Sequence, residues 1–302
     1  MGNSLGPSST LPCRSEGPHR RPGRATSRHW ARSRTRPRKR WFASSAKVEK
    51  TIRRQSVQVL ARDVAAPAAI TSGPATGQRS RTAMTQIPTL DGPSAAPASG
   101  SPAKSLVIFL HGYGSNGADL IDLAPYWAAA LPDTLFLSPD APQPCDGVPY
   151  GRQWWPLTSL TPAARAAGVR VSAPALNAYI DTQLAAHGLS EDKLALVGFS
   201  QGAMMALHVG PRRAKTLAGV IGFSGMLADP DALAAEVVTK PPILLVHGDR
   251  DEVLPVEALH QAEVQLKGLD FDVASHVSLG LGHSIDEPGL QLGARFLIRR
   301  LA

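Results

Sequence analysis

Short apolar runs recur from residue 106 onward, each closed by glycine, proline or a polar residue. Residues 106–110 (LVIFL), 134–137 (TLFL), 193–199 (KLALVGF), 217–223 (LAGVIGF) and 242–246 (PILLV) are almost continuously apolar. That is the pattern of strands buried on both faces. Residues 271–279 (FDVASHVSL) alternate more, as an edge strand does. Between these runs, apolar residues fall at helical spacing. Leu176, Tyr179, Ile180 and Leu184 mark one helix, ending near Ser190. Val256, Leu259, Glu263 and Leu266 mark another, with Val264 alongside and Gly268 as its stop. Residues 203–209 and 288–301 complete the set. The alternation predicts an α/β fold, a mainly parallel central sheet with helices on both faces. In such a sheet the chemistry sits in loops at the C-terminal ends of the strands.

Composition changes the picture at the N-terminal side. The chain has 302 residues, enough for one large domain or two small ones. Its net charge of +8 is unevenly spread. Residues 1–83 carry 18 basic and 3 acidic side chains, a net of +15, which leaves 14 basic and 21 acidic in 84–302, a net of −7. An Arg-, Ser- and Pro-rich segment of this kind cannot bury enough apolar surface to offset its chain entropy, so residues 1–83 read as disordered. Residues 93–103 are rich in Pro, Ala and Ser and read as a linker. The expected organisation is an extension and linker over 1–103 and a folded α/β domain over 104–302. Three readings of the arm compete. The run 32–40 (RSRTRPRKR) suits phosphate contacts to nucleic acid, and the lack of acid suits a transit peptide. The favoured third is that translation starts at Met84, whose short polar lead runs straight into the first strand. No apolar segment follows the basic run as in a secretory signal, and position 6 lacks the hydroxyl residue of a myristoylation motif. Cys13 and Cys145 form neither a disulfide framework nor metal-ligand spacing. The apolar runs are far too short to span a bilayer. A cytoplasmic location is expected, with organellar targeting by residues 1–83 as the alternative.

Candidate chemistry lies where the strands end. Gly198-x-Ser200-x-Gly202 follows the third apolar run and precedes a helical stretch. This is the spacing of a nucleophile elbow, a turn too tight for side chains at the flanking positions, which aims the serine oxygen away from the sheet. Residues 222–226 (GFSGM) look similar but lack the final glycine, and Ser224 reads as a strand end. A serine hydroxyl needs a base, and the base an orienting acid, in the chain order Ser, Asp or Glu, His. Residues 247–255 (HGDRDEVLP) supply Asp249 and Asp251, and 279–284 (LGLGHS) supply His283. Asp249 could bond the amides of its own turn, and Asp251 could reach His283; spacing does not separate them. An oxyanion hole would take the Gln201 amide, directly after the serine, and a second amide from the glycine-rich loop 111–117. That loop also matches a dinucleotide fingerprint, but no acidic residue ends a second strand at the required distance. His111, His247 and His283 sit at separate strand ends without a helical pair, so neither a metal nor an organic cofactor is expected.

The segments 109–120 (FLHGYGSNGADL), 198–207 (GFSQGAMMAL), 247–255 and 280–285 (GLGHSI) resemble the phospholipase/carboxylesterase family of α/β-hydrolases, which includes acyl-protein thioesterases. The resemblance covers about 104–302. It implies an α/β-hydrolase fold without a large lid, with Ser200 as nucleophile, Asp251 as acid and His283 as base. It also implies an oxyanion hole formed by the amides of Tyr113 and Gln201. The segment 151–157 (GRQWWPL) matches the family's aromatic stretch near the acyl site, so Trp154 and Trp155 are candidates for substrate contact; packing beneath a loop is the competing role. The expected activity is hydrolysis of small to medium acyl esters, with lysophospholipids or acyl thioesters as alternative substrates. A small-molecule ester is the expected partner, with no specific nucleic acid; a homodimer stays open. The alternative from another class is a nucleic-acid-binding protein with a basic arm and an inactive hydrolase body.

Overall fold

The computed structural model describes residues 87–145 and 147–302. The disordered and basic-arm readings of 1–83, and the start at Met84, lie outside those residues. Among the described residues nine strands form: β1 (Ser94–Ala95), β2 (Ser105–Leu110), β3 (Thr134–Leu137), β4 (Gln143–Pro144), β5 (Arg152–Gln153), β6 (Leu194–Phe199), β7 (Gly219–Phe223), β8 (Ile243–Gly248) and β9 (Val273–Ser278). The main sheet has the order β1-β3-β2-β6-β7-β8-β9, and β4 pairs with β5 separately. Every neighbouring pair in the main sheet is parallel except β1 with β3. The expected edge strand is β9, and β6, carrying the Ser200 turn at its end, lies at the centre.

The pleat explains why the central strands read as unbroken apolar runs. On β2, Leu106, Ile108 and Leu110 point to one face, while Val107 and Phe109 point to the other, and all five are fully buried. The first face is covered by α3 (Pro162–His187), α4 (Gln201–Val209), α5 (Pro230–Glu236) and α6 (Glu257–Gly268). The second is covered by the short helices α1 (Gly117–Leu120) and α2 (Ala124–Trp127) and by the C-terminal α7 (Glu287–Leu301). Trp127 anchors this second core. It is 1% exposed, its ring lies 5.6 Å from that of Phe109, and its indole N–H donates to the Leu290 carbonyl at 3.0 Å. Gly293 makes room for the ring, since a Cβ there would stand 2.9 Å from it.

Two expectations change. The stretch 93–103 is not a mere linker, because it contains β1, and the body begins upstream of residue 104. Leu90 is buried, Ser138 donates its amide to the Pro93 carbonyl at 3.0 Å, and Asp140 donates to the Asp91 carbonyl at 2.8 Å. Proline is tolerated there because β1 is an edge strand with an unpaired side. The helix expected around 176–184 starts much earlier, at Pro162, capped by the Thr161 side chain and closed by Gly188 at φ 63°. Its first half is rich in alanine and contains Pro174, so it shows no apolar stripe. Among the described residues, no helix is long and apolar enough to cross a membrane.

Replacing Trp127 with alanine removes a fully buried ring and its hydrogen bond. It is expected to lower the unfolding free energy by about 3–5 kcal/mol. Val264→Ala, on the exposed side of α6, should change it by less than ~0.5 kcal/mol. Denaturant unfolding of both variants checks the contrast.

Candidate active site

Ser200 stands between the end of β6 and the first residue of α4, with φ 54° and ψ −117°. A non-glycine residue rarely adopts such a backbone, so the surrounding structure has to hold it there. The Ser200 amide donates to the Phe223 carbonyl on β7 at 2.9 Å, and its carbonyl accepts from the Met204 amide at 3.1 Å. The two flanking glycines are needed for different reasons. A Cβ on Gly198 would run into the Gly202 carbonyl within the turn itself. One on Gly202 would run into the Leu110 carbonyl at the end of β2. Gly112 lets the loop after β2 approach as well, placing its own Cβ position 3.2 Å from the Ser200 Cβ.

The loop after β2 is braced on several sides. His111 is buried, donating from Nδ1 to the Gly112 carbonyl at 2.8 Å and accepting the Ala141 amide at Nε2 at 2.9 Å. Both ring nitrogens are thereby engaged. Burial drives its pKa down to about 4, against a smaller upward pull from the Gly112 carbonyl. Gly114 donates to the Arg152 carbonyl at 2.9 Å, and the Arg152 amide returns a bond to Ser115 at 2.7 Å. The amide of Gly117, in the dinucleotide-like spacing, donates to the Asp140 carboxylate at 2.7 Å. An acidic side chain therefore already occupies the position where that fingerprint would need phosphate. Tyr113, 6% exposed, lies within this braced loop.

Trp154 and Trp155 are both buried, at 0% and 3% exposure. The Trp154 indole donates to the His111 carbonyl at 3.0 Å. The side chain of Gln201, directly after the elbow serine, spans the pair: its Oε1 accepts the Trp154 amide and its Nε2 donates to the Trp155 carbonyl, each at 2.9 Å. Ser172 on α3 donates its hydroxyl to the Trp154 carbonyl. The aromatic segment is thus packed between the loop after β2, α3 and the start of α4.

At the ends of β8 and β9 the two candidate aspartates make different contacts. Asp251 Oδ2 lies 2.7 Å from His283 Nδ1, while its Oδ1 accepts the amides of Val253 and Leu254, each at 2.9 Å. Asp251 is therefore the one that bonds its own turn, the task that spacing suggested for Asp249. Asp249 instead accepts the Gly280 amide and so latches the His283 loop to β8. Further ties fix that loop. Arg250 donates to the Leu281 carbonyl at 2.9 Å, and the buried Ser224 hydroxyl donates to the Ser284 carbonyl at 3.3 Å. Ser224 is indeed at a strand end, and it shares with Ser200 a positive φ, 47°. Gly248 permits the crossing, because a Cβ there would collide with the Leu281 carbonyl. Sequence reasoning passed over Gly248, the tie from Ser224 to the His283 loop and the Gln201 side chain. The glycine directly after His247 was the available signal for a close backbone approach.

Burial pushes the Asp251 carboxyl up, but hydrogen bonds from His247, His283 and the Leu254 amide outweigh it and hold the group well below the usual carboxylate range. It is an anion at any working pH. The His283 ring packs against Phe199, centroids 4.9 Å apart, next to the elbow. Its Nε2 is buried and has no hydrogen-bond partner. A buried imidazole nitrogen without a partner costs free energy.

A central parallel sheet, a strained serine at the strand–helix turn and a histidine–carboxylate pair at later strand ends define an α/β-hydrolase. A family model for phospholipase/carboxylesterase matches residues 94–299. The chain is 30% identical over 190 residues to the esterase YpfH of Escherichia coli, covering 63% of this chain and 80% of that one. It is 27% identical to acyl-protein thioesterase 1 of Gibberella zeae, covering 65% and 90%. Among solved structures, esterase PE8 is 45% identical with a TM-score of 0.68, covering 70% of this chain and all of that one. Arabidopsis thaliana SOBER1 is 26% identical with a TM-score of 0.59, covering 66% and 99%. The chain belongs to the phospholipase/carboxylesterase family, and it is a serine hydrolase. The nucleic-acid-binding alternative is not favoured.

The buried His111 makes a measurable pH prediction. Its folded pKa lies below its unfolded one, so the unfolded chain takes up the proton first as pH falls. The stabilising contribution is complete above about pH 6.5 and is lost toward pH 4. Between pH 7 and pH 5 this group should remove about 2 kcal/mol of unfolding free energy. Unfolding curves at both pH values should show that part of the loss absent in His111→Gln.

Proposed function

We propose that the protein is a carboxylesterase that hydrolyses small to medium acyl esters through Ser200, His283 and Asp251. His283 Nε2 takes the proton of the Ser200 hydroxyl as the oxygen attacks the ester carbonyl. The Tyr113 and Gln201 amides receive the developing oxyanion; the first turn of α4 leaves its leading N–H groups without helical acceptors, which suits this use. His283 then returns the proton to the leaving alcohol, and water repeats the cycle to release the acyl group. Asp251 holds the tautomer with the proton on Nδ1 and stabilises the imidazolium that forms. Trp154 and Trp155, buried and held in place by Gln201, brace the loop after β2 from beneath.

One observation carries the reading: a His283 ring fastened to a buried carboxylate at 2.7 Å, with its other nitrogen buried, unpartnered and next to the strained serine turn. A turnover cycle gives that nitrogen its missing partner. The names of the relatives favour a second substrate class, acyl thioesters. A thiol leaves more readily than an alcohol because it is more acidic, so thioester cleavage depends less on proton return by His283.

A panel of p-nitrophenyl esters from acetate to palmitate, run beside an acyl thioester and a lysophospholipid, tests the substrate class. Turnover fastest on short and medium esters supports the reading; turnover confined to the thioester or lysophospholipid overturns it. Ser200→Ala should lose at least ~10⁴-fold in kcat, and Asp251→Asn about 10⁴-fold. Asp249→Asn keeps an oxygen for the Gly280 amide and should lose less than ~10-fold. Equal losses at the two aspartates would remove Asp251 from the assigned role.

A further inference from the structure

The Asp251 carboxylate has a second imidazole on it. His247, at the end of β8 and 1% exposed, places Nε2 3.2 Å from Asp251 Oδ2, the same oxygen that meets His283. The same Nε2 lies 2.8 Å from the Leu254 carbonyl oxygen. Both neighbours are acceptors, so Nε2 carries a hydrogen, which points to the Leu254 carbonyl with Asp251 Oδ2 close beside it. With the Val253 and Leu254 amides on Oδ1 and the two imidazoles against Oδ2, a side chain with no exposed surface has four N–H groups around it, three of them hydrogen-bonded. An ionised carboxylate can accept about four, so Oδ2 has room for a donor from His247. The rest of the His247 ring borders a small apolar cavity lined by Leu207, Leu245, Leu259 and Ala262.

We propose that His247 is a positioning residue of the catalytic apparatus: it donates to Asp251 Oδ2 and thereby fixes the carboxylate's orientation and its pull on His283. The inference rests on the triad reading above. Its rival is plain fastening of the turn through Leu254, which the shorter leg of the bond would serve by itself. The two differ in what they do to His283. A donor on Oδ2 draws negative charge away from the oxygen facing His283. Without it the carboxylate pulls harder on the imidazolium, and the proton affinity of His283 rises. Turn fastening has no such effect. The described charged groups on the adjoining turns are engaged elsewhere or exposed. Asp249 is spent on the Gly280 amide, Asp286 on the Ser278 hydroxyl and the Gly289 amide, and Arg250 and Glu252 are exposed on the turn. From the elbow side, Ser200 and Phe199 bring no charge.

The test compares His247→Leu, which removes the donor, with His247→Gln, whose amide N–H reaches a similar place. The kcat/KM of p-nitrophenyl acetate hydrolysis is followed from pH 5 to 9. The His283 ring is titrated by ¹⁵N-histidine NMR in a Ser200→Ala background, where no turnover is needed. His247→Leu should lower kcat about tenfold or more with KM little changed, and raise the acidic limb and the His283 midpoint together by about one pH unit. His247→Gln should return both close to the wild-type position. A limb and midpoint that stay put in His247→Leu, whatever happens to the melting temperature, overturn the proposal in favour of fastening. Should His247→Leu fail to fold, His247→Asn, whose shorter amide stops short of Oδ2, is read by the same two outcomes. If Ser200→Ala hydrolyses the ester as fast as wild type, the triad reading fails, and the NMR midpoint still decides the His247–Asp251–His283 coupling.

Discussion

A serine forced to φ 54° at the centre of the sheet is the constraint on which the rest of the site depends. The conformation costs on the order of 1–3 kcal/mol, and nothing local to a serine repays it. It persists because β6 is central, with β7 taking the Ser200 amide and α4 taking its carbonyl. Gly198, Gly202 and Gly112 then follow from sterics, each admitting a different piece of backbone into the space around one residue. The apolar uniformity of β2, β6, β7 and β8 serves the same end. Two packed faces keep the strand ends rigid enough to hold a strained residue.

The second half of the site is organised around a carboxylate. Asp251 is enclosed by donors from its own turn, from β8 and from the loop after β9, and their combined attraction exceeds the cost of burying its charge. The His283 loop is held by ties that do not touch the ring itself: the Asp249 carboxylate, the Arg250 amide and the Ser224 hydroxyl. Burying and tethering a ring so thoroughly, while leaving one of its nitrogens without a partner, concentrates an unmet hydrogen-bonding demand beside the elbow. On the other side, the Gln201 side chain ties the Trp154–Trp155 segment and the loop after β2 to the same turn.

Much of this was legible in the order of residues. The five buried strands and the edge strand are visible because burial on two faces, or on one, writes directly into apolar patterning; Thr134–Leu137 appears with its observed bounds. The elbow is legible because its glycines answer a steric need that no other residue meets. What pattern cannot carry is long-range register. Asp249 and Asp251 differ by two positions, and whether a carboxylate faces its turn, a neighbouring loop or a histidine depends on a crossing 31 or 32 residues away in sequence. The first half of α3 escaped because alanines and Pro174 hide a helix whose burial relies on few large side chains. β1 escaped because Pro- and Ser-rich composition looks the same in a linker and in a short edge strand. His247 escaped because a histidine before a glycine reads as turn chemistry until its partner is seen.

The most direct test of the central claim is a crystal structure of the protein after reaction with a fluorophosphonate. The account predicts phosphorus bonded to Ser200 Oγ, the phosphoryl oxygen within about 3 Å of the Tyr113 and Gln201 amides, and His283 Nε2 turned toward Oγ. Phosphorus on another residue, or a phosphoryl oxygen directed away from both amides, would contradict it.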